Sequence, residues 1–201
     1  MESSPPPPRL VLASASPRRK SLLSEAGYAF IVQASNFDEQ SAEKAGLLPA
    51  DLALRLAVAK CEAVADQFSH DVVLAADTVV AFGDFSLGQP ADAEHARKML
   101  RLLANTTHIV ITAVAVVHQS TGHRETRRVM SAVRMRPLTN EQIDRYVATE
   151  AWRGKAGGYG IQDQDPFVER MSGCLTNIVG LPMTTTRRML ADAGITPSPP
   201  A

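Results

Sequence analysis

Short apolar runs alternate along this chain with longer stretches in which apolar residues recur every three to four positions. The short runs are typical of buried strands and lie at 10–13, 28–32, 71–76 and 108–118. The longer stretches predict helices over 17–27, 51–68, 91–104, 139–147 and 182–194. A further strand is predicted at 124–135, directly after the 108–118 strand. We therefore expect an α/β fold with a mixed, partly antiparallel sheet flanked by helices.

The turn between the first predicted strand and the first predicted helix concentrates residues that bind anions. Ser14 and Ser16 supply hydroxyls, and Pro17 takes the first helical position, where its fixed φ and missing N–H are accommodated. Arg18 and Arg19 follow at the positive end of the helix dipole, where acidic side chains are normally favoured. Two guanidiniums beside unpaired backbone N–H groups indicate a phosphate site. The alternative is that both arginines pair with carboxylates or extend into water.

Carboxylates follow two of the predicted elements. The strand at 71–76 is expected to end in Asp77 and Thr78, and ligands of open α/β sheets bind beyond the carboxyl ends of strands. Asp77 would hold a divalent ion or take a proton from water, unless it only caps a turn. Glu39 would complete a metal site, or lie in a solvated loop. Lys60, beside the apolar stripe of its helix, either extends to solvent or reaches a phosphate.

A glycine-rich segment (154–162, GKAGGYGIQ) matches neither a Walker A loop nor a dinucleotide fingerprint. Its close-set glycines permit backbone approach to a ligand, and Lys155 supplies charge. The Gln162 amide, which is both donor and acceptor, could read a base edge. A flexible surface loop is the alternative. The five histidines lack metal-ligand spacing, so we expect them at the surface or at strand edges.

Composition restricts the classes of protein and partner. We expect one domain over 9–195, with proline-rich tails at 1–8 and 196–201. The 21 basic and 21 acidic residues balance, which argues against bulk nucleic-acid or anionic-membrane binding but permits a local cationic pocket. No apolar run has membrane-spanning length, and the start of the chain does not read as a signal peptide. Two distant cysteines fit a reducing, cytoplasmic location.

Four segments, in order and in register, resemble the Maf family of nucleotide pyrophosphatases. They are LASASPRR at 12–19, AADTVV at 75–80, KAGGYGIQ at 155–162, and SG at 172–173 followed by NIVGLP at 177–182. The resemblance covers nearly the whole chain outside the tails. It implies an α/β fold with two lobes around a central cleft, similar to inosine-triphosphate pyrophosphatases.

The resemblance also implies an activity: hydrolysis of dTTP and UTP to the monophosphate and pyrophosphate, which cleans nucleotide pools, by a homodimer that uses Mg²⁺ or Mn²⁺. The matching catalytic positions are Asp77, Glu39 and Lys60, with Asp77 as the base and Asp77 and Glu39 as metal ligands. The matching substrate-binding positions are Ser14, Ser16, Arg18, Arg19, Thr78, Lys155 and Gln162. Arg18, Thr78 and Gln162 mark the dTTP/UTP subgroup. The alternatives are the subgroup acting on 7-methyl-GTP and a nucleotide-binding regulator of cell division with weak catalysis.

Three positions depart from the family pattern. Gln89 stands where a lysine is usual, Asp163 where a glycine is usual after the glutamine, and Ala113 where a glycine is usual in the central strand. The first removes a phosphate-facing cation and bears on catalytic rate. The second adds a negative charge near Gln162 and bears on specificity.

Overall fold

The computed structural model describes residues 6–37, 46–163 and 167–198, and within them the chain forms seven strands and six α-helices. The strands are β1 (Leu10–Leu12), β2 (Phe30–Val32), β3 (Val72–Phe82), β4 (Phe85–Leu87), β5 (Thr107–His118), β6 (His123–Met135) and β7 (Val168–Ser172). The helices are α1 (Pro17–Glu25), α2 (Pro49–Ala65), α3 (Ala93–Leu103), α4 (Asn140–Ala148), α5 (Leu175–Val179) and α6 (Met183–Asp192). Short 3-10 turns lie at Gln119–Thr121 and Ala156–Gly158.

All seven strands join one mixed sheet. Its order is β2-β1-β3-β5-β6-β7, with β4 paired to β3 as a hairpin. β1 pairs in parallel with β2 and β3, and every other pairing is antiparallel. The predicted mixed, partly antiparallel sheet flanked by helices is therefore confirmed. The long β3–β5 pairing, from Val73↔Val117 to Ala81↔Ile109, holds the two halves of the sheet together.

Apolar clusters cover both halves of this sheet. In the half that contains β1, α2 packs on one face and α1 and α6 pack on the other, so the residues of β1 are fully buried. In the other half, α3, α4 and the glycine-rich segment pack on the ends of β3, β5 and β6. Residues of both halves line the polar cleft described below. Among the described residues, no helix has the length and apolar character needed to cross a membrane.

Several helices begin or end where local sequence signals predicted. Pro17 begins α1, with Ser16 at the N-cap position, although the Ser16 side chain makes no capping hydrogen bond. Thr139 and Gln142 form the predicted capping box at the start of α4. The chain turns after α1 at Gly27, whose φ is 82° and whose carbonyl accepts a hydrogen bond from the backbone N–H of Ser198 at 2.8 Å.

The predicted end of the third strand was wrong. β3 continues through Phe82, so Asp77 and Thr78 lie inside the strand and not at its carboxyl end. The residues that follow are β-branched or small, and they pair with β5. The strand that does end near this level is β1, whose last pairing is Leu12↔Leu74. Asp77 therefore lies three residues beyond the parallel partner on β3, beside the open carboxyl end of β1.

Two further expectations differ from the structure. Strand β7 was not predicted, because its sequence VERMS has no regular alternation of apolar and polar residues. In the structure only the first of its five residues is buried. His108 and His118 were expected at the surface or at strand edges, but the long apolar strand β5 carries both into the interior.

Gly173, between β7 and α5, offers a test of this packing. Its φ is 88°, and a Cβ added there would lie 2.6 Å from Ser131 Oγ and 2.8 Å from the Met130 carbonyl oxygen. Gly122 is a matched control, since its φ is 73° and nothing lies within 4 Å of its added Cβ. We expect Gly122→Ala to lower the free energy of unfolding by about 1 kcal/mol through backbone strain alone. Gly173→Ala should cost about 2–4 kcal/mol, since overpacking adds to that strain.

Urea unfolding of the two variants measures the difference. Equal losses of the free energy of unfolding in the two variants would show that the close approach between Gly173 and β6 adds nothing to the cost of the substitution.

Candidate active site

One polar cavity lies beyond the carboxyl end of β1. Its walls are the β1–α1 turn, the middle of β3, one face of α2 and the glycine-rich segment. The predicted site residues that line it are Ser16, Arg18, Arg19, Lys60, Asp77, Thr78, Lys155 and Gln162. Ser14 lines an adjoining cavity that shares Ser16, Arg18 and Arg19. Glu39 lies outside the described residues. The structure thus brings together the segments 14–19, 77–78 and 155–162, while the roles of their residues stay predictions.

Lys60 and Asp77 form a buried ion pair in the floor of the cavity. The Lys60 Nζ lies 2.5 Å from Asp77 Oδ1, and the side chains are 10% and 8% exposed. Helix α2 packs flat on the sheet and brings the lysine to the middle of β3. Of the two readings of Lys60, extension to solvent is therefore wrong. Its ammonium holds one oxygen of the carboxylate in place.

Arg19 connects three elements around the cavity. Its Nε donates to the carbonyl of Gly180 at 2.9 Å, its NH1 to Ser14 Oγ at 3.1 Å, and its NH2 to Thr78 Oγ1 at 3.2 Å. The guanidinium thereby joins α1, the β1–α1 turn, β3 and the turn after α5. Gly180 adopts a φ of 123°, a conformation that side-chain-bearing residues avoid. The orientation of Arg19 is fixed by its hydrogen bonds to these neutral oxygens.

A chain of buried polar side chains supports Thr78 from below. Thr78 Oγ1 lies 2.9 Å from Thr112 Oγ1, and Thr112 donates to the carbonyl of Asn177 at 3.0 Å. The Asn177 amide donates in turn to Ser131 Oγ at 2.8 Å. Thr112 and Asn177 are completely buried. Sequence reasoning missed both as site-supporting residues. The available signal was a threonine in the middle of an otherwise apolar strand, where a hydroxyl needs a partner.

Arg18 spans the mouth of the cavity. Its NH2 donates to the carbonyl of Gly154 at 2.6 Å, which links α1 to the start of the glycine-rich segment. Burial lowers the pKa of the Arg18 guanidinium, and the nearby Asp163 carboxylate counteracts part of that shift. A guanidinium remains charged in proteins, so Arg18 contributes a full positive charge to the cavity.

Asp163 organises the end of the glycine-rich segment. Its Oδ1 forms an ion pair with the Lys155 ammonium, while its Oδ2 accepts from the Gly160 backbone N–H at 3.1 Å and from Tyr146 OH at 2.9 Å. Burial, followed by the Asp163 charge, raises the pKa of Tyr146, so the hydroxyl keeps its proton and donates. A Cβ on Gly160 would lie 2.6 Å from Asp163 Oδ1 and 2.9 Å from both Lys155 Nζ and Gln162 Nε2, so a larger residue there would displace the ends of these side chains.

His108 anchors the same segment from the interior. Its Nε2 lies 2.6 Å from Tyr159 OH, and burial lowers the pKa of the imidazole to about 4. The imidazole is therefore neutral at neutral pH and exchanges one hydrogen bond with the tyrosine. Burial also raises the pKa of Tyr159 well above its usual range, so that hydroxyl stays protonated. This contact fixes the glycine-rich segment to β5.

The side chains that line the cavity fit a metal cation whose remaining oxygen ligands come from a substrate and from water. Among the described residues, no group of three or more His, Cys, Asp or Glu side chains could hold a metal ion. Asp77 is the carboxylate that the described residues place in the cavity wall. Mg²⁺ is commonly bound through one or two carboxylates together with substrate phosphates and water. One buried carboxylate beside several cationic side chains fits that mode.

Two arginines, two lysines and a buried carboxylate, gathered beyond a parallel strand of a mixed sheet, give this α/β protein a cavity whose charges suit a phosphate-bearing anion. The family of Maf-like proteins matches residues 9–193, and the chain belongs to that family. Gln89, the departure that removes a lysine, lies exposed in the wall of the cavity.

Relatives cover nearly all of the chain. It is 44% identical to a dTTP/UTP pyrophosphatase of Cereibacter sphaeroides, over 92% of this chain and 95% of that protein. It is 40% identical to a dTTP/UTP pyrophosphatase of Pelotomaculum thermopropionicum, over 92% and 96% of the two chains. A solved HAM1 protein from Coxiella burnetii is similar with a TM-score of 0.44 and 17% identity, over 64% of this chain and 73% of that one.

The buried His108 predicts a pH dependence of stability. Its pKa is about 4 in the folded protein against 6.5 for an imidazole exposed to water, so between these values the unfolded chain binds more protons and stability falls as pH falls. We expect a loss of about 3 kcal/mol between pH 7 and pH 4 from this group, which His108→Gln should lack. Urea unfolding of both proteins at several pH values measures the difference. Parallel stability curves would contradict the assignment.

Proposed function

We propose that this protein is a nucleoside triphosphate pyrophosphatase that hydrolyses dTTP and UTP to the monophosphate and pyrophosphate. The observation that carries the proposal is the gathering of Arg18, Arg19, Lys60 and Lys155 around Asp77 in one cavity. Membership of the Maf-like family and the names of relatives that share about 40% of their residues support the same reaction. A homodimer in the cytoplasm, which the family implies, is part of the proposal.

The positive groups prepare the cavity for a triphosphate. Phosphoryl transfer leaves little covalent chemistry to the protein, and catalysis rests on positioning and on stabilising the charge of the transition state. Arg19 is fixed by three hydrogen bonds and Arg18 by one, so neither has to be reorganised to meet phosphate oxygens. Lys155 lines the same cavity.

Asp77 is the general base of the proposed reaction. It orients a water molecule in line with the α-phosphorus and accepts its proton as the new oxygen–phosphorus bond forms. The bond between the α-phosphorus and the bridging oxygen breaks, and pyrophosphate leaves. The ion pair with Lys60 holds the carboxylate in one orientation, which is the positioning that this step requires.

A divalent cation, Mg²⁺ or Mn²⁺, is the proposed cofactor. Asp77 would hold it together with the phosphate oxygens of the substrate, with Glu39 as the second proposed ligand. When bound, the cation neutralises phosphate charge and makes a nearby water more acidic.

Base selection is assigned to Thr78 and Gln162. Both line the cavity, and the primary amide of Gln162 offers a donor and an acceptor to the N3–H and carbonyl edge shared by uracil and thymine. The two bases differ by one methyl group, and one methylene-sized change is worth only about 1–3 kcal/mol of discrimination. A base site of this kind therefore accepts both uracil and thymine.

A pyrophosphate-release assay with Mg²⁺ or Mn²⁺ tests the proposal on UTP, dTTP, CTP, ATP, GTP and 7-methyl-GTP. We expect UTP and dTTP to be hydrolysed at least about tenfold faster than the purine nucleotides, because a missing polar match in the base site costs more than 1.4 kcal/mol. Preference for 7-methyl-GTP would overturn the base assignment. Nucleotide binding without pyrophosphate release would instead favour the alternative function, a nucleotide-binding regulator of cell division with weak catalysis.

The second test replaces the proposed base. Asp77→Asn keeps the shape of the side chain but cannot accept the proton, so turnover should fall by about 100-fold or more. Asp77→Asn alone leaves the Lys60 charge buried without its ion pair, which destabilises the fold. The double variant with Lys60→Met removes that charge as well, so a loss of turnover in it reports on the chemistry and not on stability. Asp84→Asn, in the exposed turn after β3, is the matched control and should keep full activity. Undiminished turnover in a folded Asp77→Asn protein would remove Asp77 from the chemistry.

A further inference from the structure

We propose that Asp163 competes with the phosphates of the nucleotide for the Lys155 ammonium, and thereby lowers the affinity of the site for polyphosphates in proportion to their charge. The inference rests on the proposed function and deepens it. It assigns to a residue outside the predicted site the role of setting substrate affinity.

The position of the ion pair supports this role. Lys155 lines the cavity, whereas Asp163 lies behind it, in the wall of a neighbouring cavity beside Tyr146. The two side chains are only 11% and 17% exposed. Charges removed from water interact strongly, so the carboxylate cancels much of the field that the ammonium would present to an anion. A phosphate oxygen that approaches Lys155 must share the ammonium with a fixed carboxylate.

The carboxylate itself cannot move away. Its second oxygen accepts hydrogen bonds from the Gly160 backbone N–H and from Tyr146 OH, which tie it to the glycine-rich segment and to α4. The side chains of Asp163, Lys155 and Gln162 all lie within 3 Å of the position that a Cβ on Gly160 would take. Lys155, with four rotatable carbon–carbon bonds, is the adjustable partner of the pair. Moving the Lys155 ammonium toward a phosphate therefore weakens its contact with Asp163, and this loss reduces the free energy of ligand binding.

Asp163 also acts on a second cation of the cavity. Its negative charge is the main influence that opposes the desolvation of Arg18 across the cavity mouth. One carboxylate thus reduces the attraction that two of the four cationic side chains exert on a polyphosphate. The reduction applies to the bound ground state, and weaker ground-state binding does not by itself slow the chemical step.

Titration calorimetry with a graded series of ligands tests the inference. The ligands are the non-hydrolysable α,β-imido analogue of UTP, UMP and uridine, which share a base and differ in charge. Asp163→Asn should tighten the UTP analogue by about fivefold or more at low salt, UMP by about twofold, and uridine not at all, since the effect scales with ligand charge. High salt should shrink these differences. Asp144→Asn, which removes an exposed partner of Arg97, is the matched control and should change nothing.

Two further variants separate competition from a purely structural role. Tyr146→Phe removes a hydrogen bond from the same carboxylate without changing charge, and the three affinities should shift by less than about twofold. In a Lys155→Met background the tightening caused by Asp163→Asn should be smaller than in the native protein, because no ammonium is released. Weaker binding of all three ligands to Asp163→Asn, or equal tightening with and without Lys155, would overturn the inference.

The two proposals fail in different ways. If the native protein releases pyrophosphate from UTP but Asp163→Asn leaves the graded series unchanged, the activity stands and the role of Asp163 is wrong. If the graded response is found but no nucleotide is hydrolysed, the charge competition stands and the proposed activity is wrong.

Discussion

The buried contact between Lys60 and Asp77 is the interaction on which the site depends. Removing two charges from water is expensive, and breaking such a pair by deleting one member typically costs about 3–5 kcal/mol because the other charge is left uncompensated. Apolar side chains of similar volume would often stabilise a protein at least as well. What the pair supplies here is a carboxylate held at a fixed position in the middle of β3, beside the open end of β1. The packing of α2 on the sheet therefore determines where the proposed base stands.

The cationic side chains fall into two kinds by their contacts. Lys60 and Lys155 each contact a carboxylate, while Arg18 and Arg19 donate to carbonyl and hydroxyl oxygens. Hydrogen bonds to neutral oxygens orient a guanidinium and leave its net charge in place. These hydrogen bonds orient both guanidiniums at the cavity, while the carboxylates beside Lys60 and Lys155 balance part of the charge of the two lysines. A chain with equal numbers of basic and acidic residues builds a cationic cavity by this distribution.

The sequence predicted those features whose signal is local. The apolar run of β1, Pro17 at the start of α1 and the capping box of α4 mark element ends within a few residues, and the structure confirms them. The continuation of β3 past Asp77 was missed, because a carboxylate inside a central strand is explained only by a partner on α2, which lies 17 residues earlier in the chain. The two readings of Lys60 could not be separated for the same reason.

In the candidate site, too, residues with a local sequence signal were predicted and residues that depend on distant partners were not. Residues 14–19, 77–78 and 155–162 were selected because each motif carries recognisable chemistry, and the fold brings them to one cavity. The residues that hold them in place include Thr112, Asn177 and Tyr146. Local sequence shows at most that the Thr112 hydroxyl needs a partner, and the partners themselves come from distant parts of the chain. His108 was misplaced because a histidine in an apolar strand reads as an edge residue unless Tyr159 is known to meet it.

The two ion pairs place their carboxylates differently relative to the cavity. The carboxylate of the Lys60 pair lines the cavity, whereas the carboxylate of the Lys155 pair lies behind its lysine, in the wall of the neighbouring cavity. An acid that faces the ligand is in reach of a water molecule, while an acid behind a lysine acts on the ligand only through the charge of that lysine. Because the two pairs stand on separate elements, β3 and the glycine-rich segment, substitutions at one can alter affinity without disturbing the geometry of the other. In the proposed roles of Asp77 and Asp163, chemistry and affinity are thereby separate properties of one cavity.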